Sequence, residues 1–150
     1  MLMAVLSIGQ VWGDDATMTA GTNGSECTVN SEAGIKVGTS SKGGTMTITV
    51  GEGATKLTLY AAAWKGVTGL SLNITGATVS PSSISLTADD GISNNSPFTL
   101  NGDASDFIFE ITLSDIEEET TLTFTSSIAK RFVVWGATYE TASGSQESDN

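Results

Sequence analysis

The sequence predicts an all-β protein, a single antiparallel β-sandwich, and three observations carry that prediction. Apolar residues recur with period 2 rather than 3.6 in one short segment after another. Clusters of Gly, Ser, Asn and Asp punctuate those segments. The composition is rich in Thr, Ser and Gly, with 39% apolar and only 15% charged residues. That balance suits sheets with one buried and one solvated face, and 150 residues leave room for one domain rather than two.

Taken in order, Asp14–Ser25 reads as a polar arm. Glu26–Asn30 and Gly34–Thr39 read as two short strands, and Ser40–Gly44 as a turn. Thr45–Val50 alternates with Met46, Ile48 and Val50 inward. Gly51–Ala54 returns the chain into Thr55–Gly66, and the pair is expected as a β-hairpin. Within that second segment Leu57 and Leu59 point to the core, so Tyr60, Ala62 and Trp64 share the opposite face. The run Ala61–Ala63 leaves a low patch between two aromatic rings, and it is also the one place where a helical turn could intrude.

Leu70, Leu72 and Ile74 mark the next strand, Pro81 edges or ends another, and Ser83–Thr87 is a further short one. Ala88–Pro97 is the longest loop and leads to Phe98–Leu100. Asp106–Leu113, with Phe107, Phe109, Ile111 and Leu113 on one face, is the clearest strand. Thr120–Ser126 follows, with Leu122 and Phe124 inward. Lys130–Tyr139 is apolar on both faces, which places it centrally or under cover; Arg131, Trp135 and Tyr139 are expected on one of those faces. These elements make about eight or nine strands without helical period, a jelly-roll sandwich spanning 26–139. Glu140–Asn150 reads as a polar tail.

Met1–Gly13 begins with an apolar run too short to cross a bilayer, which takes about 20 residues. Val11-Trp12-Gly13 fits a signal-peptidase site, so the segment is expected to be the remnant of an export signal; a buried N-terminal strand is the alternative. Secretion to the periplasm or cell surface follows from the first reading. Cys27 is the only cysteine, so no intrachain disulfide forms. It reads as a small buried hydrophobe, with a reactive thiol as the alternative.

The formal net charge is -11, and no Lys/Arg cluster stands out along the chain. Such a chain repels phosphate backbones and anionic lipid, so neither nucleic acid nor membrane insertion after signal cleavage is expected. The sequence contains no His, which removes Ser-His and Cys-His triads and His-ligated metal sites. A glycosidase needs two facing carboxylates about 5 to 10 Å apart. Its only clustered candidates, Asp89, Asp90, Asp103, Asp106 and Glu110, read instead as a solvated rim, and no enzyme is expected. Calcium takes about six to eight oxygens. Asp89, Asp90 and Asn94, or Asn101, Asp103 and Asp106, could supply several of them to a structural ion, with ordinary turn chemistry as the alternative.

The succession GIKVGTSSKGGTMTITV, TKLTLYAAAWKG, ITLSDIEEETTLTF and KRFVVWG resembles a jelly-roll domain of secreted and surface proteins of Bacteroides-type gut bacteria. That domain is similar to galactose-binding-like sandwiches, which include many carbohydrate-binding modules. In the family, Lys-Arg-Phe and two apolar residues commonly precede a pair of Asp. Here Lys130–Val134 match, but Trp135 and Gly136 stand where the acidic pair falls, so no function of those carboxylates is implied. The resemblance implies a module without catalytic residues.

Glycan binding or surface attachment is the expected function. Sugar C–H faces would stack on Tyr60, Trp64 and Trp135, while Lys65, Asn73 and Arg131 bond hydroxyls. The alternative is a structural spacer or protein-interaction module. An exposed aromatic shelf favours the first, and a shelf covered by the chain's own Asp14–Val37 segment favours the second. Oligomeric state is not legible.

Overall fold

Alternation along Thr45–Val50 and Ala54–Ala63 buries Met46, Ile48 and Val50 on one strand and Leu57, Leu59 and Ala61 on the other in the computed structural model, which describes residues 14–142. Among those residues twelve strands form: β1 (Asp14–Asp15), β2 (Thr17–Ala20), β3 (Gly24–Val29), β4 (Glu32–Val37), β5 (Thr45–Val50), β6 (Ala54–Ala63), β7 (Ser71–Thr75), β8 (Thr78–Ser80), β9 (Ser83–Ser85), β10 (Ile108–Ser114), β11 (Thr120–Ser126) and β12 (Phe132–Thr141). One 3-10 turn, Ala104–Phe107, precedes β10. No helix among the described residues is long and apolar enough to cross a membrane.

The strands form two antiparallel sheets. Five pair in the order β9-β7-β11-β5-β2; the seven-stranded sheet runs β3-β4-β12-β6-β10-β8, with β1 also on β12. From β5 to β12 every successive strand changes sheet, which is the wrapping of a jelly roll. The expected fold class is therefore observed, with more strands than the expected eight or nine. The added ones are short and come largely from Asp14–Ser25, expected as a polar arm. There β1 pairs with Thr138 and Tyr139, and β2 with Met46–Thr49. The strand expected to end at Tyr139 runs on through Thr141. The export reading of Met1–Gly13 and the tail beyond Ala142 lie outside the described residues.

The hairpin expected from β5 and β6 does not form. β5 pairs with β11 and β2, whereas β6 pairs with β10 and β12. Two strands with period-2 apolar faces bury those faces equally well side by side or across a sandwich, and alternation alone does not separate the cases. The corner is made at Gly53, whose φ of 82° suits a residue without Cβ. Its N–H donates to the Ile116 carbonyl at 2.7 Å.

Between the sheets lies the main core, in which Phe124, Phe132, Met46, Ile48, Leu57, Leu59 and Leu122 are fully buried. A second apolar cluster lies on the outer face of the larger sheet. Cys27, Val29, Ala62, Trp64, Val133 and Trp135 pack there with Ile92, Phe98, Leu100 and Phe107. β6 and β12 are thus buried on both faces, which accounts for the apolar run in β12 and for the Ala61–Ala63 run, all strand and all fully buried. Phe107, expected on the inner face of a strand, sits in the 3-10 turn and joins this outer cluster instead.

A β-bulge divides β12. Val134 pairs with Ala61 and Gly136 with Tyr60, adjacent positions on β6, so Trp135 is an extra residue. An extra residue reverses the inward-outward alternation beyond it. Ala137 and Tyr139 consequently pack on the main core, and the expectation that Tyr139 shares a face with Arg131 and Trp135 is overturned. Gly136 lets the Tyr60 ring approach, because a Cβ there would lie 3.1 Å from it.

Burial pushes the Cys27 thiol up to about 11, with Lys36 pulling the other way. The thiol stays protonated near neutrality and behaves as a core group. Native protein is therefore expected to resist a disulfide thiol reagent at pH 8 and to react with one equivalent after unfolding in guanidinium. Rapid labelling of the native state would contradict this placement.

Candidate functional site

The aromatic shelf is covered, though not by Asp14–Val37, the cover considered as the alternative from sequence. Ala88–Phe107 lies over it, sewn down along its length. Asp89 N–H donates to the Ala63 carbonyl at 3.3 Å, Lys65 N–H to Ile92 at 3.0 Å, and Asn30 N–H to Phe98 at 2.9 Å. Leu100 N–H donates to Asn30 Oδ1 at 2.9 Å. Beneath it Trp64 meets Phe98 edge to face, with centroids 5.6 Å apart, and Trp135 meets Phe107 at 6.1 Å. Tyr60 tilts against Trp135 at 6.3 Å. Trp64 and Trp135 are 7% and 6% exposed, which leaves neither ring as a platform on which a sugar could stack. Tyr60 keeps partial exposure.

Asp89 closes this cover. It is the one buried carboxylate among the described residues. Its Oδ1 accepts N–H bonds from Gly91 at 2.7 Å and Asn101 at 2.8 Å, and its Oδ2 accepts one from Gly102 at 2.9 Å. Burial alone would raise its pKa, but the amides of Asn101, Gly102 and Gly91 together outweigh that and hold it below the ordinary carboxylate value.

That arrangement takes the Asp89 carboxylate out of any Ca²⁺ site. The buried carboxylate is ringed by amide donors, whose positive ends repel a cation, while Asp90, Asn94, Asn101, Asp103 and Asp106 are exposed. Among the described residues no group of three or more acidic, Cys or His side chains converges on one point. The segment's side chains serve as a staple and a solvated rim. Glu110, the remaining carboxylate considered for acid-base chemistry, ion-pairs at 3.6 Å with Lys56, which also holds Glu140 at 3.2 Å.

What stays open is a cleft of about 320 Å³ at one end of the sandwich. Three sheet-to-sheet connections build it: Thr39 and Ser40 after β4, Trp64–Thr68 after β6, and Lys130 and Arg131 before β12. A backbone bond ties two of them, Trp64 N–H donating to the Arg131 carbonyl at 3.1 Å, and Val67 N–H donating to the Trp64 carbonyl at 2.9 Å closes the turn after β6. The Arg131 guanidinium lies over the Trp64 ring, 3.8 Å from its centroid, and Lys36 Nζ stands 5.8 Å from the same centroid. A cation on an aromatic face is attracted by the ring quadrupole, and the guanidinium occupies the surface a sugar would use. A second hollow of about 380 Å³, where the β4–β5 and β11–β12 connections meet the turn after β2, is lined by Thr22, Thr45, Thr125, Ser126, Ser127 and Ile128, among others.

Of the residues singled out from sequence, Trp64, Lys65 and Arg131 meet at the cleft. Tyr60 and Trp135 lie under or beside the cover. Asn73 is exposed on β7 of the other sheet, so it does not join them. Thr39, Ser40, Thr68 and Lys130, which also line the cleft, and Lys36 beside the Trp64 ring were not singled out from sequence, because no local pattern relates three connections far apart in the chain.

No protein-family model matches the sequence, and no curated protein matches it. Among solved structures the chain is similar to a family 6 carbohydrate-binding module whose binding sub-sites were dissected by crystallography and calorimetry, at 13% identity over 89% of this chain and 94% of that one, TM-score 0.48. It is similar to CsCBM6-3 from Clostridium stercorarium, solved with cellobiose, at 13% identity over 86% and 89%, TM-score 0.45. A third likeness, at 10% identity and TM-score 0.39, is to a glycoside hydrolase family 43 arabinoxylan arabinofuranohydrolase from Bacillus subtilis, solved with cellotetraose; it covers 74% of this chain and 22% of that one.

Proposed function

We propose that this chain is a secreted, non-catalytic module that binds glycan or attaches to a glycan-bearing surface through the cleft at Thr39, Trp64–Thr68 and Arg131. One observation carries the reading. The cleft is open, its volume of about 320 Å³ lies at the small end of ligand sites, and its wall alternates hydroxyls, cations and the border of one indole. Such a wall suits a polyhydroxylated ring, held by hydrogen bonds more than by stacking. Export to the periplasm or cell surface rests on the Met1–Gly13 reading.

A second reading, a spacer or protein-interaction module, is favoured by the covered shelf, which leaves Trp64 and Trp135 with structural work. A glycan array probed with the full chain and a Lys65→Ala variant separates the two. The expected result is a saccharide hit that weakens in the variant and is indifferent to added calcium or a chelator. An array without hits would leave the spacer reading.

A further inference from the structure

Four of the chain's six cations gather where the fold brings three connections together. Lys65 and Lys130 line the cleft and are exposed. Arg131 and Lys36 approach the same Trp64 ring from 3.8 and 5.8 Å. Among the described residues no carboxylate lines the cleft, and Lys56 is the only cation in an ion pair. The absence of a Lys/Arg cluster along the sequence is thus reversed in space. On a protein of net charge -11, this is a small concave region of opposite sign.

Like charges crowded on one ring with no ion-pair partner among the described residues raise the energy of the empty site, and an anion entering it relieves that repulsion. We propose that the cleft selects an anionic saccharide, one bearing carboxylate or sulfate groups. This rests on the glycan-binding reading above and narrows it. Arg131 presents a planar fork of donors matched to either group, and Lys65 and Lys130 act as point charges. The hydroxyls of Thr39, Ser40 and Thr68 bond the neutral parts of the sugar. A densely charged nucleic acid is disfavoured, because it extends beyond the cleft over a surface carrying most of the 17 carboxylates.

The test is titration calorimetry on the full chain, at low and at physiological salt. Probes are oligogalacturonate for carboxylate, a chondroitin sulfate oligosaccharide for sulfate, neutral oligosaccharides of the same length, and a single-stranded oligonucleotide of matched charge. At least one anionic saccharide is expected to bind tenfold or more tighter than its neutral counterpart, and to weaken as salt rises. Lys65→Ala/Lys130→Ala, which alters only exposed side chains, should weaken it by about tenfold or more; Lys56→Ala, outside the cleft, should leave it unchanged. The better of the two anionic probes identifies the acid group. Equal binding of neutral sugars, still weakened by the double variant, would overturn anion selection while keeping the saccharide cleft. Equal binding of the oligonucleotide would overturn saccharide selection. Anionic binding unmoved by the double variant would place the site elsewhere, and no saccharide binding at all would remove the parent reading too.

Discussion

Replacing Trp64 with alanine is expected to lower the stability of the chain by about 3–5 kcal/mol, the usual cost of emptying a large buried aromatic site. The ring is 7% exposed and is held on several sides, by the edge of Phe98 and by the Arg131 and Lys36 cations. Its loss would uncouple the Ala88–Phe107 cover from β6 and leave the Arg131 guanidinium without its partner surface. For a domain of this size the melting temperature should fall by roughly 6–20 °C. Trp64→Phe should recover part of the loss by refilling volume, though the smaller ring offers less face to the guanidinium. Denaturant unfolding of both variants measures this. A shift under about 1 kcal/mol together with lost glycan binding would instead mark Trp64 as a stacking platform.

Asp89 should show the second large effect. Asp89→Ala strands three N–H donors under the cover, and bonds to a charged acceptor are worth about 1.5–3 kcal/mol each before relaxation. Some donors will find water, so a net loss of about 2–4 kcal/mol is expected, concentrated in Ala88–Phe107. Asp89→Asn keeps the shape but turns an amide N–H₂ toward at least one backbone donor, and should cost about 1–3 kcal/mol. The pH dependence has a definite sign. The folded-state pKa is depressed, so this contribution is fully present above the ordinary carboxylate value and is lost as pH falls toward the folded-state value. Amide hydrogen exchange at Gly91, Asn101 and Gly102 is the direct readout. Protection that persists in Asp89→Ala, or is insensitive to pH below 4, would rule out the carboxylate as the staple.

The strands were legible in the sequence because each main-core face is written as every second residue: Met46, Ile48 and Val50, or Leu122 and Phe124. What alternation does not carry is which strand lies beside which, hence the hairpin that is not formed. Nor does it mark a bulge. Trp135 looks like any outward residue of β12, yet it shifts Tyr139 to the other face. Ala88–Pro97 reads as a solvated loop and Asn101–Ser105 as a turn because Asp, Asn, Gly and Ser dominate them. Ile92, Phe98 and Leu100, scattered around them without a period, were the sign that the segment covers something, whereas Phe107 is in phase with the strand that follows and carries no such sign. The cleft had the least local signal of all, since Lys36, Lys65, Lys130 and Arg131 meet only once three connections converge.

The place of β12 bears on how the chain is made. This last strand stands between β4 and β6, joining two parts of the larger sheet. While the nascent chain is shorter than Phe132, β3-β4 and β6-β10-β8 remain separate ribbons, each with an unpaired edge. Exposed edges of this kind invite pairing with other chains. Completion of the sheet thus waits on synthesis of β12 itself, and a chain cut short before that strand would be prone to aggregate rather than fold to a smaller sandwich.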